Sequence, residues 1–290
     1  MEVIVKIKGI VFLLVCFCIC VIACDNPEGY IQSPFSQFWG VPGYDESGAT
    51  RSLSIAAVSF NVDLSPDINR NKMVAFIDKI KAERPDVRLI LFPEATLGYY
   101  YRPPNPSGYI KSIAEVIPGV TTGVISQKAI EHQIYISFGM AEMSENDLFI
   151  SQVLVCPGGT ILSVHRKNYL TPWDKESGFK AGSGITVDVI DNIRVATIIC
   201  YDSMFLDINQ KISRAGAELV LLPVANLESP FSSMLPNANY VNAWVLSANR
   251  IGNEDGNTYD GMLYLSTPSR EPRVVSTGKE GYIYGVVKCR

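Results

Sequence analysis

Val87-Arg88-Leu89-Ile90-Leu91-Phe92-Pro93-Glu94 is the stretch on which the fold reading turns. Its apolar run is continuous rather than alternating, which predicts a strand covered on both faces. Working outward, Leu53–Val62 alternates like a half-buried strand, and Ser65-Pro66 supplies an N-cap and a first-turn proline. Met73, Ile77 and Ile80 then line one helical face. A second helix is expected within Ile110–Glu131. Strands follow near Ile134–Ala141, Gln152–Cys156, Ile161–Arg166, Ile185–Ile190, Arg194–Cys200, Glu218–Pro223 and Trp244–Asn249. Shorter ones are expected near Met262–Leu265, Arg273–Val275 and Tyr282–Val287. Helices alternating with buried strands, with no internal repeat, predict an α/β domain of layered sheets.

At 290 residues, 47% hydrophobic and 19% charged, the chain can bury a full core. A net charge of −4 gives no electrostatic footprint for nucleic acid or for a polybasic membrane contact.

The N-terminus is set apart. Lys6 and Lys8 precede an apolar run from Ile10 to Ala23, short for a membrane span but right for a secretory signal. The run stops at Val21-Ile22-Ala23-Cys24, which resembles a bacterial lipoprotein signal. That resemblance implies residues 1–23 as signal peptide, Cys24 as a lipidated N-terminus carrying palmitate, and an extracytoplasmic, membrane-anchored location in the cell envelope. An uncleaved anchor, or an ordinary signal with an incidental Cys, is the other reading. Residues 24–50, rich in Pro, Gly and Ser, read as a tether of about 25–30 Å, with one folded domain over 51–290. Tyr30, Phe35, Phe38, Trp39 and Tyr44 suggest that part of it packs on the domain. Outside this leader only Cys156, Cys200 and Cys289 remain. If Cys200 stays free, Cys156 and Cys289 are the possible disulfide partners, or simply two buried thiols.

Three positions carry chemistry. Glu94 closes the Val87–Pro93 run, Lys167 follows Ile161–Arg166, and Cys200 ends Val195-Ala196-Thr197-Ile198-Ile199. Singly, each has a plain reading: a helix cap, a strand-flanking base, an inert buried thiol. Together, a carboxylate, an ammonium and a thiol at strand ends suffice for covalent acyl transfer without metal or cofactor. His132 and His165 are the only histidines and form no ligand-spaced cluster, and there is no glycine-rich phosphate loop, so neither a metal nor another cofactor is expected.

Leu91-Phe92-Pro93-Glu94, Arg166-Lys167-Asn168-Tyr169-Leu170 and Ile199-Cys200-Tyr201-Asp202, in that order, resemble the three signatures of the nitrilase, or carbon–nitrogen hydrolase, superfamily. Gly139, Glu142, Glu176, Gly182 and Asn249-Arg250-Ile251-Gly252 extend the resemblance from about Ser52 to the C-terminus. It implies a four-layer αββα sandwich, a homodimer through sheet-flanking helices, and a Glu–Lys–Cys triad. Cys200 would be the nucleophile, Glu94 the general base, Lys167 the cation beside the oxyanion, and Glu142 the second glutamate that positions lysine or substrate. The Tyr201 backbone N–H would be an oxyanion donor, and a small-molecule amide the substrate. Cys-Tyr-Asp resembles the amide-hydrolysing branches more than true nitrilases. Tyr99, Tyr100, Tyr101, Trp173 and Asn226 are pocket candidates, favouring a moderately apolar substrate; packing is their plainer role.

The chain departs from the family pattern at Met204 and Leu206, where Arg and Pro are usual, at Ile150 for Asn, and at Asn237-Ala238-Asn239. These bear on pocket shape rather than on the triad. Two other functions stand beside the amidase: an N-acyltransferase of the same superfamily, which needs several membrane helices, and a catalytically inert binding lipoprotein.

Overall fold

The computed structural model describes residues 44–227, 242–276 and 278–290. Expectations that fall on the signal run, on Cys24, on the tether before Tyr44 and on Asn237-Ala238-Asn239 lie outside the described residues. Tyr44 itself packs edge-on against Trp244 at 5.4 Å between ring centroids.

The chain runs β1 (Arg51–Ser59), α1 (Pro66–Glu83), β2 (Leu89–Leu91), α2 (Pro106–Ile113), α3 (Val120–His132) and β3 (Tyr135–Ser144). Next come β4 (Asp147–Val155), β5 (Ile161–Arg166), α4 (Pro172–Glu176), β6 (Thr186–Ile190) and β7 (Ile193–Thr197), then a 3-10 turn, Cys200–Met204. The remainder is α5 (Leu206–Arg214), β8 (Leu219–Val224), β9 (Trp244–Asn249), β10 (Ile251–Glu254), β11 (Asn257–Asp260), β12 (Leu263–Ser266), β13 (Pro272–Ser276) and β14 (Gly281–Cys289).

Two six-stranded sheets form, in the orders β14-β1-β2-β3-β4-β5 and β13-β12-β9-β8-β7-β6, with β10-β11 as a separate hairpin. In the first sheet β1, β2 and β3 are parallel, and in the second β7, β8 and β9 are. Antiparallel strands flank each parallel trio.

Side-chain alternation explains the layering. Leu89 and Leu91 of β2 face the second sheet together with Leu53 and Ile55 of β1 and Leu219 and Leu221 of β8. Ile90, with Ala56 and Val58, faces the other way, onto Met73, Ile77 and Ile80 of α1 and Ile125 and Ala129 of α3. The outer face of the second sheet, Val220 and Leu222, packs with Ile208 and Ile212 of α5. The result is the expected α/β sandwich, and β2 is covered on both faces as its unbroken apolar run requires.

The single helix expected within Ile110–Glu131 is two. Pro118 lacks an N–H and disfavours helical Ile117, and Gly119 then caps α3, its N–H donating to Thr122 Oγ1 at 2.7 Å. The short α4 and the hairpin strands Ile-Gly-Asn-Glu and Asn-Thr-Tyr-Asp carry too weak an apolar period to be read in advance, whereas α5, which buries Ile208 and Ile212 one turn apart, was simply not read. Cys156, Cys200 and Cys289 are all free thiols. Among the described residues no helix is long and apolar enough to cross a membrane.

Because Leu91 is fully buried between the sheets, Leu91→Ala should cost about 3 kcal/mol in urea unfolding, whereas Val189→Ala, at a position 61% exposed, should stay within about 0.5 kcal/mol.

Candidate active site

All the parallel strands end at one edge of the sandwich, and β5, two antiparallel steps from β3, ends there too. Glu94 follows β2, Lys167 follows β5 and Cys200 follows β7, so strand direction alone carries three distant segments to one place.

Each side chain is then fixed locally. Beyond Glu94, Ala95 takes a left-handed φ of 51° and Thr96 N–H donates to the Gly139 carbonyl at 2.9 Å. A Cβ at Gly139 would lie 2.5 Å from Ala95 N and 2.8 Å from Glu94 Cα, so this glycine is what lets β3 approach the Glu94 loop. Gly182 does the same for lysine: its N–H donates to the Lys167 carbonyl at 2.7 Å, and a Cβ there would strike the Arg166 backbone. Cys200 has a φ of 46°, an uncommon conformation for a residue with a Cβ, at the point where strand becomes 3-10 turn. The Asp202 carboxylate ties this turn to the lysine loop by accepting from the N–H groups of Ile199 (3.2 Å), Asn168 (2.9 Å) and Tyr169 (2.8 Å).

Glu94 and Lys167 are buried completely, or nearly so, and Cys200 is 5% exposed. Lys167 Nζ donates to Glu94 Oε1 at 2.9 Å and to the Tyr100 hydroxyl at 3.0 Å, and pairs with Asp174 Oδ2 at 2.9 Å. Tyr100 in turn donates a short hydrogen bond to Asp174 Oδ1. One ammonium therefore serves two carboxylates. Burial pushes the Glu94 carboxyl up, Lys167 pulls it back down, and Asp174 raises it further, leaving it above the ordinary Glu range. Burial alone would depress Lys167, but Glu94, Tyr100, Cys200 and Asp174 outweigh it and hold the ammonium well above its usual range. The Cys200 thiol is pushed strongly up, by burial first and the Glu94 charge second, against the pull of Lys167 and of a hydrogen bond from the Ala225 backbone. The resting site thus holds a protonated thiol beside a carboxylate of raised basicity and a fixed cation. Glu94 Oε2 has no hydrogen-bond partner among the described residues.

Other expected residues fall differently. Glu142 makes no direct bond to the lysine: it accepts from Ser151 Oγ and binds the Arg166 guanidinium through both carboxylate oxygens, on the opposite face of the strand end from Lys167. Alternation is the reason, since adjacent residues of a strand point to opposite faces. The second carboxylate at the ammonium is Asp174. Its signal was readable as a Thr171-Pro172-Trp173-Asp174 capping box, in which Asp174 Oδ2 accepts from Thr171 N–H at 2.8 Å. Tyr201, 37% exposed, follows the thiol directly. Trp173 stacks on Tyr101 at 5.0 Å, Tyr99 N–H donates to the Tyr109 hydroxyl at 2.8 Å, and the backbone of Asn226 is held at both N–H and carbonyl by the Asn249 side chain. Tyr100, set beside Tyr99 as a pocket aromatic, is instead part of the ammonium's cage.

Arg250 entered the resemblance without a role, and Glu254 went unread. Both are fully buried. Arg250 donates to the Ala95 and Gly98 carbonyls at 2.8 and 2.6 Å, and Glu254 Oε2 accepts from Tyr100 N–H at 2.9 Å, so the pair braces the Glu94 loop from behind. Among the described residues, the one group close enough to share a metal ion is Asp78, Glu131 and His132 on α1 and α3. The Lys128 ammonium already bridges its two carboxylates.

The chain matches the carbon-nitrogen hydrolase family over residues 54–262. It is 26% identical to an (R)-stereoselective amidase of a Pseudomonas species, over 62% of this chain and 63% of that protein. It is 28% identical to a nitrilase of Pyrococcus abyssi, over 76% and 83%. In structure it resembles an amidase from a Nesterenkonia species, with a TM-score of 0.72 and 20% identity, over 84% of this chain and 94% of that one. In another structure of that amidase, acrylamide is joined by Michael addition to the active-site cysteine.

Asp174 raises both Glu94 and Cys200 by its charge, so Asp174→Asn should lower both. The pH profile of Cys200 alkylation by iodoacetamide, followed by peptide mass, should move toward lower pH. An unmoved profile would remove Asp174 from the electrostatics of the site.

Proposed function

Because the chain belongs to the carbon–nitrogen hydrolase family, we propose that it hydrolyses a non-peptide amide through an acyl-enzyme on Cys200. The observation that carries this reading is the buried Lys167–Glu94 pair, 2.9 Å apart, whose charges both act on the Cys200 thiol and whose carboxylate that thiol hydrogen-bonds. A dry, fixed ammonium next to a thiol and a base is an arrangement suited to a transition state that develops negative charge on oxygen.

The steps follow from the side chains. Cys200 Sγ attacks the amide carbonyl carbon as Glu94 takes the thiol proton. The resulting oxyanion is met by the Lys167 ammonium and the Tyr201 backbone N–H, each donor contributing about 3–4 kcal/mol. Glu94 passes its proton to the leaving nitrogen, the C–N bond breaks, and ammonia or a small amine departs. Water then attacks the thioester, Glu94 accepts its proton, the C–S bond breaks, and the acid leaves as the thiol is restored. Asp174 and Tyr100 keep the ammonium charged and aimed throughout. The Tyr101–Trp173 stack, with Tyr99 and Asn226 close by, would give the pocket a partly apolar wall.

Cys200→Ala should abolish turnover of short aliphatic amides, and Lys167→Met should lower kcat by about 100- to 1,000-fold. Glu94→Gln should leave a protein that folds but acylates and deacylates poorly. Since the Glu94 carboxyl sits above the ordinary Glu range, and only its ionised form accepts protons, kcat/KM should fall as pH drops through that raised value. An acid limb at or below the ordinary carboxylate range would overturn Glu94 as the base.

We further propose that the mature protein begins at a lipidated Cys24 and works outside the cytoplasm as a homodimer. Support for the pairing comes from Met204 and Leu206, which leave apolar side chains 39% and 58% exposed where α5 begins. Radiolabelled palmitate should enter the wild type and not Cys24→Ala, and the detergent-solubilised protein should sediment as a dimer that Leu206→Glu splits.

A further inference from the structure

Tyr259 takes no part in the steps above, yet it stands inside the same site. Its side chain is only 2% exposed, in the cluster that holds Tyr100, Cys200 and Ala225, and its hydroxyl has no hydrogen-bond partner among the described residues. Three attachments place it. Its backbone bridges to Leu227, two residues beyond Ala225, whose backbone hydrogen-bonds the Cys200 thiol. The Arg250 guanidinium lies over its ring at 5.4 Å while holding the Ala95 and Gly98 carbonyls of the Glu94 loop. The β10–β11 hairpin pairs it with Gly252 and carries Glu254, which grips Tyr100. The hairpin therefore clamps Tyr259 between the loop of the base and the loop beside the nucleophile.

Buried polar atoms without partners are rare in folded proteins, and those that occur are commonly met by an ordered water or a ligand. This site has two, the Tyr259 hydroxyl and Glu94 Oε2, and they differ in kind. An ionised carboxylate oxygen only accepts, whereas a phenol can donate. Burial pushes the phenol well up, so it keeps its proton at every physiological pH, and the charges of Glu94 and Cys200 both act on it.

We propose that Tyr259 and Glu94 together hold the hydrolytic water of deacylation, Tyr259 O–H donating to the water oxygen and Glu94 Oε2 accepting one of its hydrogens. This rests on the acyl-enzyme reading and assigns the residue that makes its second half selective for water. The water oxygen bonds to the thioester carbonyl carbon and its proton passes to Glu94. The C–S bond then breaks, the carboxylic acid leaves, and the Glu94 proton returns to the Cys200 sulfur. No oxidant, metal or second substrate enters. Acylation brings its own nucleophile in Cys200 and has no use for Tyr259.

The test is Tyr259→Phe, which removes one oxygen and keeps the ring. With p-nitrophenyl butyrate as acyl donor, the burst of nitrophenolate reads acylation and the steady state reads deacylation. The burst rate should stay within about 2-fold of wild type while the steady-state rate falls about 10- to 100-fold. Butyryl-Cys200 should accumulate in the intact mass, and added hydroxylamine should capture a larger share of acyl groups than in wild type. An unchanged steady state with a thermal midpoint raised by about 2 °C would instead make the hydroxyl a structural orphan and overturn the proposal. Equal slowing of both phases would overturn it as well, placing Tyr259 in the general architecture of the pocket. Hydrolysis of the ester by Cys200→Ala at the wild-type rate would sink the Cys200 acyl-enzyme itself, a result distinct from either.

Discussion

The structure depends on keeping one ammonium charged in a place that water does not reach. Lys167, Glu94 and Asp174 are all buried, and each ion would separately cost several kcal/mol to desolvate. What offsets that cost is geometry: two carboxylates and a phenol within 3.0 Å of Nζ. Burial drives the Glu94 carboxyl upward, Lys167 draws it back, and the second negative charge, on Asp174, adds to the rise. Burial first, and the Glu94 charge second, drive the thiol upward. On the proposed acyl-enzyme reading, such a thiol keeps its proton until a base takes it.

Holding such a group of charges requires stiff backbone, and the fold supplies it from several directions. Gly139 and Gly182 let strand and loop come within distances that no Cβ would allow, one against Glu94 and the other against the residue before Lys167. Asp202 binds the nucleophile turn and the lysine loop with three backbone N–H groups. Arg250 and Glu254 brace the Glu94 loop from the hairpin side. Glu142 belongs to this supporting layer. By gripping Arg166 on one face of the strand end, it helps fix Lys167 on the other.

How the sequence foreshadowed this differs from residue to residue. Glu94, Lys167 and Cys200 were legible because each ends an apolar strand, and a polar residue at such an end has few structural uses. Asp174 was hidden by its neighbours, since a capping box is sufficient reason for an acid at that position. Glu254 and Tyr259 were hidden because their hairpin strands are polar and short. Burial of so polar a segment arises only when the rest of the domain closes over it. One helix was expected within Ile110–Glu131, and α3 fills most of that range, with α2 kept separate from it by Pro118 and the Gly119 cap.

What the sequence determined by itself is the pair of layered sheets and the segments that end at their common edge. Strand periodicity and a doubly covered β2 are properties of short stretches of chain, and they leave little freedom in how those stretches pack. Which carboxylate shares the ammonium, which glutamate only braces a strand, and which hydroxyl is left unpaired within the site were decided by tertiary structure. Those outcomes depend on close contacts between side chains of separate elements, Lys167 with Glu94 and Asp174 and Glu142 with Arg166, and on which face of a strand each side chain leaves.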